Sequence, residues 1–296
     1  MKRPAERQKP KKVSRIFVHG VFFAAVVAAV CWWVWLRPTA PQPQIVVFVL
    51  DTVRQDAIGC YGERSGSTPH MDAVAADGVR FDRAISTSGW TMPAIASLLT
   101  GTWPTIHGSM GRGRKLTRIR DELPMATEVL RQAGFHTVGF ANAAFVSPMV
   151  GVDRGFNVFD HKYTSNSDMR RADETIDAVL VELRRSRSRA GFYFIHLFDA
   201  HLDYDPPKEY ATRYTDGRRT PELPLTAAKI RPMMTGADGF GPPTPRDVAY
   251  VRGLYHAEVD FIDTQVGRLI DELKVLELYE NATIVITSDH GEEFFD

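Results

Sequence analysis

The sequence is poor in cysteine and has no excess of charge of either sign. Cys31 lies in an apolar run and Cys60 in the body of the chain, so the two do not pair and a disulfide framework is excluded. Lysine and arginine number 36, as do aspartate and glutamate, and the zero net charge gives no indication of a nucleic-acid partner. Internal repeats are also lacking, which excludes repeat architectures. The remaining composition is that of an ordinary globular protein.

The N-terminal region differs from the rest of the chain. Residues 1–15 carry seven basic side chains opposed only by Glu6, and residues 16–36 contain no Asp, Glu, Lys or Arg. An uncharged apolar run of that length spans a bilayer as a helix, and the basic flank predicts that it starts in the cytoplasm. We therefore predict a basic cytoplasmic tail at 1–15 and one transmembrane anchor at 16–36.

The anchor leads through a proline-rich linker at 37–44 into the body of the chain. The domain at 45–296 is then expected outside the cytoplasm, in the periplasm or the extracellular space. A cleavable signal peptide is the alternative interpretation of the apolar run. The length of the run, and tryptophans at 32, 33 and 35 that resemble an interfacial aromatic belt, favour an uncleaved anchor.

Two apolar runs near the ends of this domain stop at acidic residues. Residues 45–50 are followed by Asp51, and residues 282–288 are followed by Asp289 and His290. Unbroken β-branched runs indicate strands buried on both faces, as in a parallel sheet, and ligands collect at the carboxyl ends of such strands. Two carboxylates and an imidazole delivered there are typical of a metal site.

Strand and helix patterns alternate between these two runs. Helical spacing is found at 71–78, 125–134, 172–185 and 249–273, and further strands are predicted at 137–141 and 192–198. Alternation of this kind predicts an α/β fold in which helices cover a mostly parallel sheet.

Thr91 lies at the predicted start of another helix. Pro93 suits the first turn of that helix and Gly101 suits its end. Free backbone N–H groups at such a start favour an anion. The hydroxyl of Thr91 then has two possible roles, as a capping group or as a nucleophile that attacks a tetrahedral anionic ester.

An ordered set of short motifs resembles the sulfatases of the alkaline-phosphatase superfamily. The motifs lie at 50–56, 59–62, 68–72, 78–81, 90–93, 97–101, 154–156, 199–201 and 288–293. The resemblance covers about 45–296 in the order and spacing of the family. It implies a three-layer α/β/α sandwich with a mostly parallel sheet, here preceded by one transmembrane helix.

The resemblance implies a role for each matching residue. Three residues correspond to ligands of one divalent metal ion: Asp51, Asp289 and His290. The imidazole among them favours Mn, Zn or Mg over Ca, which prefers oxygen ligands. Thr91 corresponds to the nucleophile and is a candidate fourth contact of the metal. His201 corresponds to a histidine that contacts the anionic group of the substrate and protonates the leaving oxygen. Asn142 is a further candidate for binding that anion, or else a loop or cap asparagine.

Two departures from the family pattern bear on the chemistry. The family has Cys or Ser followed by x-Pro-Ser-Arg, whereas this chain has Thr91-Met92-Pro93-Ala94-Ile95. Threonine cannot yield the formylglycine aldehyde of sulfatases, and Ile95 replaces the arginine. Thr52 stands where the family usually has a second acidic ligand. The chain therefore resembles the threonine-using branch of the superfamily, which includes membrane-anchored phosphotransferases and phosphodiesterases.

We expect a metal-dependent hydrolase or transferase that acts on sulfate or phosphate esters by covalent attack of Thr91. The substrate is an anionic ester on a glycan, a lipid headgroup or a small molecule. The alternatives are a catalytically degenerate domain that binds anionic glycans or lipids, and a structural membrane-anchored domain. Because the family continues well beyond the position of Asp296, we interpret 45–296 as the N-terminal portion of a catalytic domain.

Three residues near these motifs have simpler interpretations. His196, in the predicted strand before His201, is expected to be a packed histidine or one that supports a site residue. Glu292 and Glu293 are expected to begin a helix, where acidic side chains are favoured.

Overall fold

A computed structural model describes residues 26–28, 32, 42–62, 67–111, 116–165, 168–202, 204–215 and 244–294. Two compact units are present, Met1–Ala40 and Pro41–Asp296. The predicted tail, most of the predicted anchor at 16–36 and residues 37–41 of the linker lie outside the described residues. Residues 26–28 and 32 are helical. Among the residues described, none of the helices has both the length and the apolar character needed to cross a membrane.

Five parallel strands form the sheet of the second unit. The strands of the described ranges are β1 (Gln44–Leu50), β2 (His136–Ala141), β3 (Val158–His161), β4 (Tyr163–Ser165), β5 (Asp168–Met169), β6 (Gly191–Leu197) and β7 (Ala282–Ser288). The sheet has the order β3-β2-β6-β1-β7, and β4 and β5 form a separate antiparallel pair. The predicted parallel sheet is confirmed.

Strand β1 lies between β6 and β7 in matched register. Leu50, its last residue, is opposite Leu197 of β6 and Ser288 of β7. The three strands therefore end at the same level. Because parallel strands share their direction, the residues that follow them emerge at one edge of the sheet.

Helices lie on both faces of the sheet. They are α1 (Pro69–Asp77), α2 (Thr91–Thr100), α3 (Pro104–His107), α4 (Ala126–Gln132), α5 (Ala172–Ser186), α6 (Lys208–Tyr214) and α7 (Pro245–Val275). Short 3₁₀ turns occupy Gln55–Ala57, Gly59–Tyr61, Pro148–Val150 and Tyr279–Asn281. The predicted helices correspond to α1, α2, α4, α5 and α7 with ends shifted by a few residues.

Alternate side chains of the strands pack into two separate cores. Phe48 and Ile195 face the core that contains α1, α5 and α7, whereas Val49 and Phe194 face the core that contains α2. Each side chain of this size contributes about 1.5–3 kcal/mol when it is removed from water. Helices on both faces of the sheet give the three layers that the family resemblance implies.

Strand β7 differs from the sequence prediction in its burial. The β-branched run predicts a strand buried on both faces, yet its residues alternate between partly buried and exposed, and Val285 is 40% exposed. The reason is its place at the edge of the sheet, where β1 is its partner within the described residues.

Two glycines with positive φ allow a test of the packing between the Gly155 loop and α4. Gly155 has φ +81°, and a Cβ added there would lie 2.5 Å from the backbone nitrogen of Glu128 in α4. Gly134 has φ +91° with no atom within 4 Å of an added Cβ. Both alanine variants carry the strain of a left-handed residue, about 1 kcal/mol, but only Gly155→Ala also displaces backbone.

We expect Gly155→Ala to lower the free energy of unfolding by more than about 2 kcal/mol, and Gly134→Ala by about 1 kcal/mol. Chemical denaturation of the two variants and the unmodified chain measures both values. Equal losses in the two variants would show that the contact of Gly155 with α4 is not tight.

Candidate functional site

Three predicted ligands and the predicted nucleophile meet at the carboxyl edge of the sheet. Asp51 follows β1, Asp289 and His290 follow β7, and Thr91 is the first residue of α2. The structure brings them together because β1 and β7 are neighbours that end at the same level. The backbone N–H of Asp51 also continues the ladder by donating to Leu197 O at 2.8 Å.

The ligand atoms of Asp51, Asp289 and His290 form a compact group. One such atom from each residue lies within 4.8 Å of the other two. His290 Nε2 is 3.5 Å from Asp289 Oδ2 and 3.9 Å from Asp51 Oδ1. Both carboxylates are buried. Two carboxylates and one imidazole at this spacing are a donor set suited to a divalent cation.

Thr91 presents its hydroxyl to this group. Its Oγ1 lies 3.2 Å from Asp51 Oδ2 and 3.2 Å from His290 Nε2, and the side chain is buried. The position that caps α2 is Trp90, whose side chain makes no capping hydrogen bond. Of the two roles that the sequence allows for Thr91, its hydroxyl therefore does not serve as the cap.

The pKa values of the two carboxyl groups are shifted in opposite directions. Burial raises the pKa of Asp51, but the contact with His196 and the nearby His201 and His290 outweigh it, and the pKa is lowered. Burial and then the charge of Asp51 raise the pKa of Asp289 to about 6. Two buried carboxylates at this distance repel each other, and a cation between them would favour both charged forms.

His290 is oriented by the carbonyl of its neighbour. Its Nδ1 lies 3.0 Å from Gly291 O, to which it donates. Nε2 is then the nitrogen with the lone pair, and it is the one that faces Asp51, Asp289 and Thr91. A carbonyl partner on the other ring nitrogen is typical of metal-binding histidines.

Asp289 shows whether the site fits a cation. Its Oδ1 accepts from the backbone N–H groups of Thr52 at 3.2 Å and His290 at 2.8 Å. Its Oδ2 is buried, and no described residue forms a hydrogen bond with it. A buried polar atom without a partner costs about 1–3 kcal/mol, which a bound cation would offset. The residues present therefore fit a divalent metal ion.

One histidine of β6 contacts Asp51, and a second histidine follows the strand. His196 within the strand is fully buried, and its Nε2 makes a close but poorly aligned contact with Asp51 Oδ2 at 3.2 Å. His201 follows the strand, and its ring stacks on Phe198 with centroids 4.4 Å apart. In its charged form, His201 contributes to the lowered pKa of Asp51.

Asn142 follows β2, and its side chain is engaged elsewhere. The amide nitrogen donates to Thr175 Oγ1 at 2.7 Å, and the amide oxygen accepts from Arg170 Nε at 3.1 Å. The side chain is fully buried. In this placement Asn142 connects β2 with the start of α5, and its role as an anion contact stays a prediction.

Sequence reasoning missed the roles of two further residues. Thr52 has φ +58°, its N–H donates to Asp289, and its Oγ1 donates to Ala200 O at 2.9 Å. The expectation that Glu292 begins a helix is wrong, because residues 291–294 are not helical. Instead, Glu292 Oε2 accepts from Leu202 N and from the Tyr204 hydroxyl. The motif at 288–293 marks Glu292, but no local pattern signals its distant partners.

Comparison with known proteins shows several similarities. The family model named Sulfatase matches residues 43–296. The uncharacterized sulfatase YidJ of Escherichia coli (strain K12) is 25% identical over 304 residues, which cover 85% of this chain and 57% of that protein. The chain therefore spans a little over half the length of that relative.

Two solved structures share the fold. Phosphonate monoester hydrolase of Agrobacterium radiobacter has a TM-score of 0.66 and 19% identity, over 85% of this chain and 63% of that chain. The C-terminal periplasmic domain of EcEptC from Escherichia coli, in complex with Zn, has a TM-score of 0.62 and 16% identity, over 87% of this chain and 66% of that chain.

The raised pKa of Asp289 gives a prediction for the metal-free chain. Because its folded-state pKa, about 6, exceeds the ordinary value of 3.8, the folded state keeps the proton to higher pH. The stability from this group is fully present below pH 4 and is lost as pH rises through about 6. Asp289→Asn removes that loss, so at pH 7 the metal-free variant should be more stable, by up to roughly 3 kcal/mol.

Thermal melts in EDTA at pH 4 and pH 7 measure this difference, and Asp271→Asn on the exposed face of α7 is the control. The same Asp289→Asn variant should bind Mn²⁺ or Zn²⁺ at least about tenfold more weakly by calorimetry. Unchanged metal affinity in Asp289→Asn would remove this residue from the ligand set.

Proposed function

The chain belongs to the sulfatase family, and on that premise we propose that it is a metal-dependent enzyme that attacks sulfate or phosphate esters with Thr91. One observation carries the proposal. The Thr91 hydroxyl lies 3.2 Å from both Asp51 and His290, at the N-terminus of a ten-residue helix. A hydroxyl placed beside candidate metal ligands, where backbone N–H groups favour an anion, suits nucleophilic attack on a charged ester.

The metal would be held by Asp51, Asp289 and His290, and the imidazole favours Mn, Zn or Mg over Ca. When bound, a divalent ion supplies positive charge that makes a nearby hydroxyl more acidic and offsets the negative charge of the ester. His196 supports this set through its contact with Asp51.

The protein's own groups account for the movement of protons. Thr91 donates to Asp51 Oδ2 at 3.2 Å, so this carboxylate orients the hydroxyl and is an acceptor for its proton. Oγ1 forms a bond to phosphorus or sulfur as the bond to the leaving oxygen breaks. His201, when protonated, gives a proton to that oxygen. Water or an acceptor alcohol then displaces Thr91, which regains its proton.

Residues around Thr91 favour this scheme over aldehyde chemistry. Threonine cannot yield formylglycine, and Ile95, at the position of the arginine in the family pattern, is fully buried in the core that contains α2. The Escherichia coli relative is named an uncharacterized sulfatase, and a phosphonate monoester hydrolase shares the fold, so both sulfate and phosphorus esters belong in the test. The proposed substrate is an anionic ester on a glycan, a lipid headgroup or a small molecule.

The proposal also covers the location of the enzyme. The basic residues at 1–15 and the uncharged run at 16–36 support a single-pass anchor with the N-terminus in the cytoplasm and the domain outside it. The activity is proposed for the protein as a whole, since the chain spans 57% of the length of its Escherichia coli relative.

Substitution of Thr91 tests the nucleophile. With Mn²⁺ or Zn²⁺, Thr91→Ala should lower kcat on the best of four substrates by more than about 10³-fold, because no other group replaces the attacking oxygen. The substrates are nitrophenyl sulfate, phosphate, phosphodiester and phosphonate. Thr91→Ser keeps a hydroxyl and should stay within about tenfold of the unmodified chain.

Thr100→Ala, at the other end of α2, is the control and should change kcat by less than about twofold. Metal affinity measured by calorimetry should change by less than about threefold in Thr91→Ala, since Asp51, Asp289 and His290 all remain in place. Full turnover by Thr91→Ala would rule out the scheme. Metal binding without turnover of any ester would favour the alternative of a degenerate domain that binds anions.

A further inference from the structure

The segment after the metal-ligand turn holds the loop that carries His201. Glu292 lies two residues beyond His290, and its Oε2 accepts from Leu202 N at 3.2 Å and from the Tyr204 hydroxyl at 2.9 Å. Leu202 directly follows His201. A single carboxylate oxygen therefore joins the end of β7 to the end of β6.

Leu202 transmits this restraint to the imidazole. His201 Nδ1 lies 2.7 Å from Leu202 O and donates to it, so both polar backbone groups of Leu202 are in use. The stacking on Phe198 fixes the plane of the ring. With the proton on Nδ1, the neutral ring keeps its lone pair on Nε2.

Glu292 is itself held in place by its surroundings. Its carbonyl accepts from Arg54 Nη1 at 3.1 Å. Tyr204 is buried and packs against Tyr255 and Phe294, with centroids 5.9 and 6.2 Å away. Burial and then the Glu292 carboxylate raise the pKa of Tyr204, so its hydroxyl remains a donor to that carboxylate at neutral pH.

We propose that Glu292 is a positioning residue, whose carboxylate fixes the location and the tautomer of His201 through Leu202. This inference rests on the proposed function, because it supports the step in which His201 protonates the leaving oxygen. An ionised carboxylate that accepts two hydrogen bonds at once is well suited to fix the loop that carries His201. Glu293, the next residue, is exposed and provides a matched control.

The first measurement reads the tautomer directly and needs no activity. Long-range ¹H–¹⁵N NMR spectra of the metal-free full chain report which ring nitrogen of His201 carries the proton, and His201→Gln assigns the signals. We expect the Nδ1–H form to dominate in the unmodified chain, in Glu292→Gln and in Glu293→Ala. The amide oxygen of Gln can accept from both Leu202 and Tyr204. In Glu292→Ala the ratio of Nδ1–H to Nε2–H forms should fall at least about threefold.

The second measurement uses leaving groups that differ in their need for a proton. The esters compared carry whichever anionic group, sulfate or phosphate, the protein turns over best. On phenyl esters, Glu292→Ala should lower kcat by about 10–100-fold, since His201 no longer protonates the leaving oxygen efficiently. On 4-nitrophenyl esters the loss should stay below about fivefold, because that leaving group departs without a proton. KM and the affinity for Zn²⁺ should change by less than about threefold, and Glu292→Gln should restore most of the kcat on phenyl esters.

Several results would overturn the inference. One is a folded Glu292→Ala chain that keeps the Nδ1–H tautomer of His201. Another is an equal loss of kcat on both kinds of ester, which indicates a merely structural role. If circular dichroism shows that Glu292→Ala does not fold, Glu292→Asp replaces it. The aspartate carboxylate is shorter by one methylene, so the tautomer ratio and kcat should change in the same direction but by less. If the unmodified chain turns over no ester, the proposed function fails, while the NMR result still decides whether Glu292 sets the state of His201.

Discussion

The parallel pairing of β1 with β6 on one side and β7 on the other is the constraint on which the candidate site depends. Residues 51 and 289 lie far apart in the chain, and only the matched ends of these strands bring their carboxylates together. A slip of one residue in β1 would turn Asp51 to the opposite face of the sheet, away from Thr91 and His290. The two hydrophobic cores set this register, because Phe48 and Val49 belong to different cores.

The electrostatics of the site follow from that convergence. Two buried carboxylates would repel each other if they stood alone, and the surroundings offset this with three imidazoles and the positive end of α2. The compensation is uneven. Asp51 contacts His196 at 3.2 Å and has a lowered pKa, whereas Asp289 has a raised pKa and an oxygen without a hydrogen-bond partner among the described residues. A bound cation would supply the positive charge that the site still lacks beside Asp289.

Much of the architecture can be predicted from residue patterns. The β-branched runs predict β1 and β7, helical spacing predicts α5 and α7, and the position of acidic residues at strand ends predicts the meeting of Asp51 with Asp289 and His290. The remaining features depend on tertiary contacts. Whether His196 faces Asp51 is decided by the register of β6, and the exposure of Val285 is decided by the order of the strands. Glu292 departs from its helical expectation because its partners, Leu202 and Tyr204, come from another strand end.

The positive φ of Thr52 limits which residues can replace it. A β-branched residue with φ +58° is strained by about 1–3 kcal/mol. Glycine would relieve that strain, but it would also delete the hydroxyl that binds Ala200 O, one residue before His201. A substitution that relieves the backbone strain at position 52 therefore also makes the loop that carries His201 more mobile. Selection for thermal robustness and selection for a well-aligned acid group would act on this one residue in opposite directions.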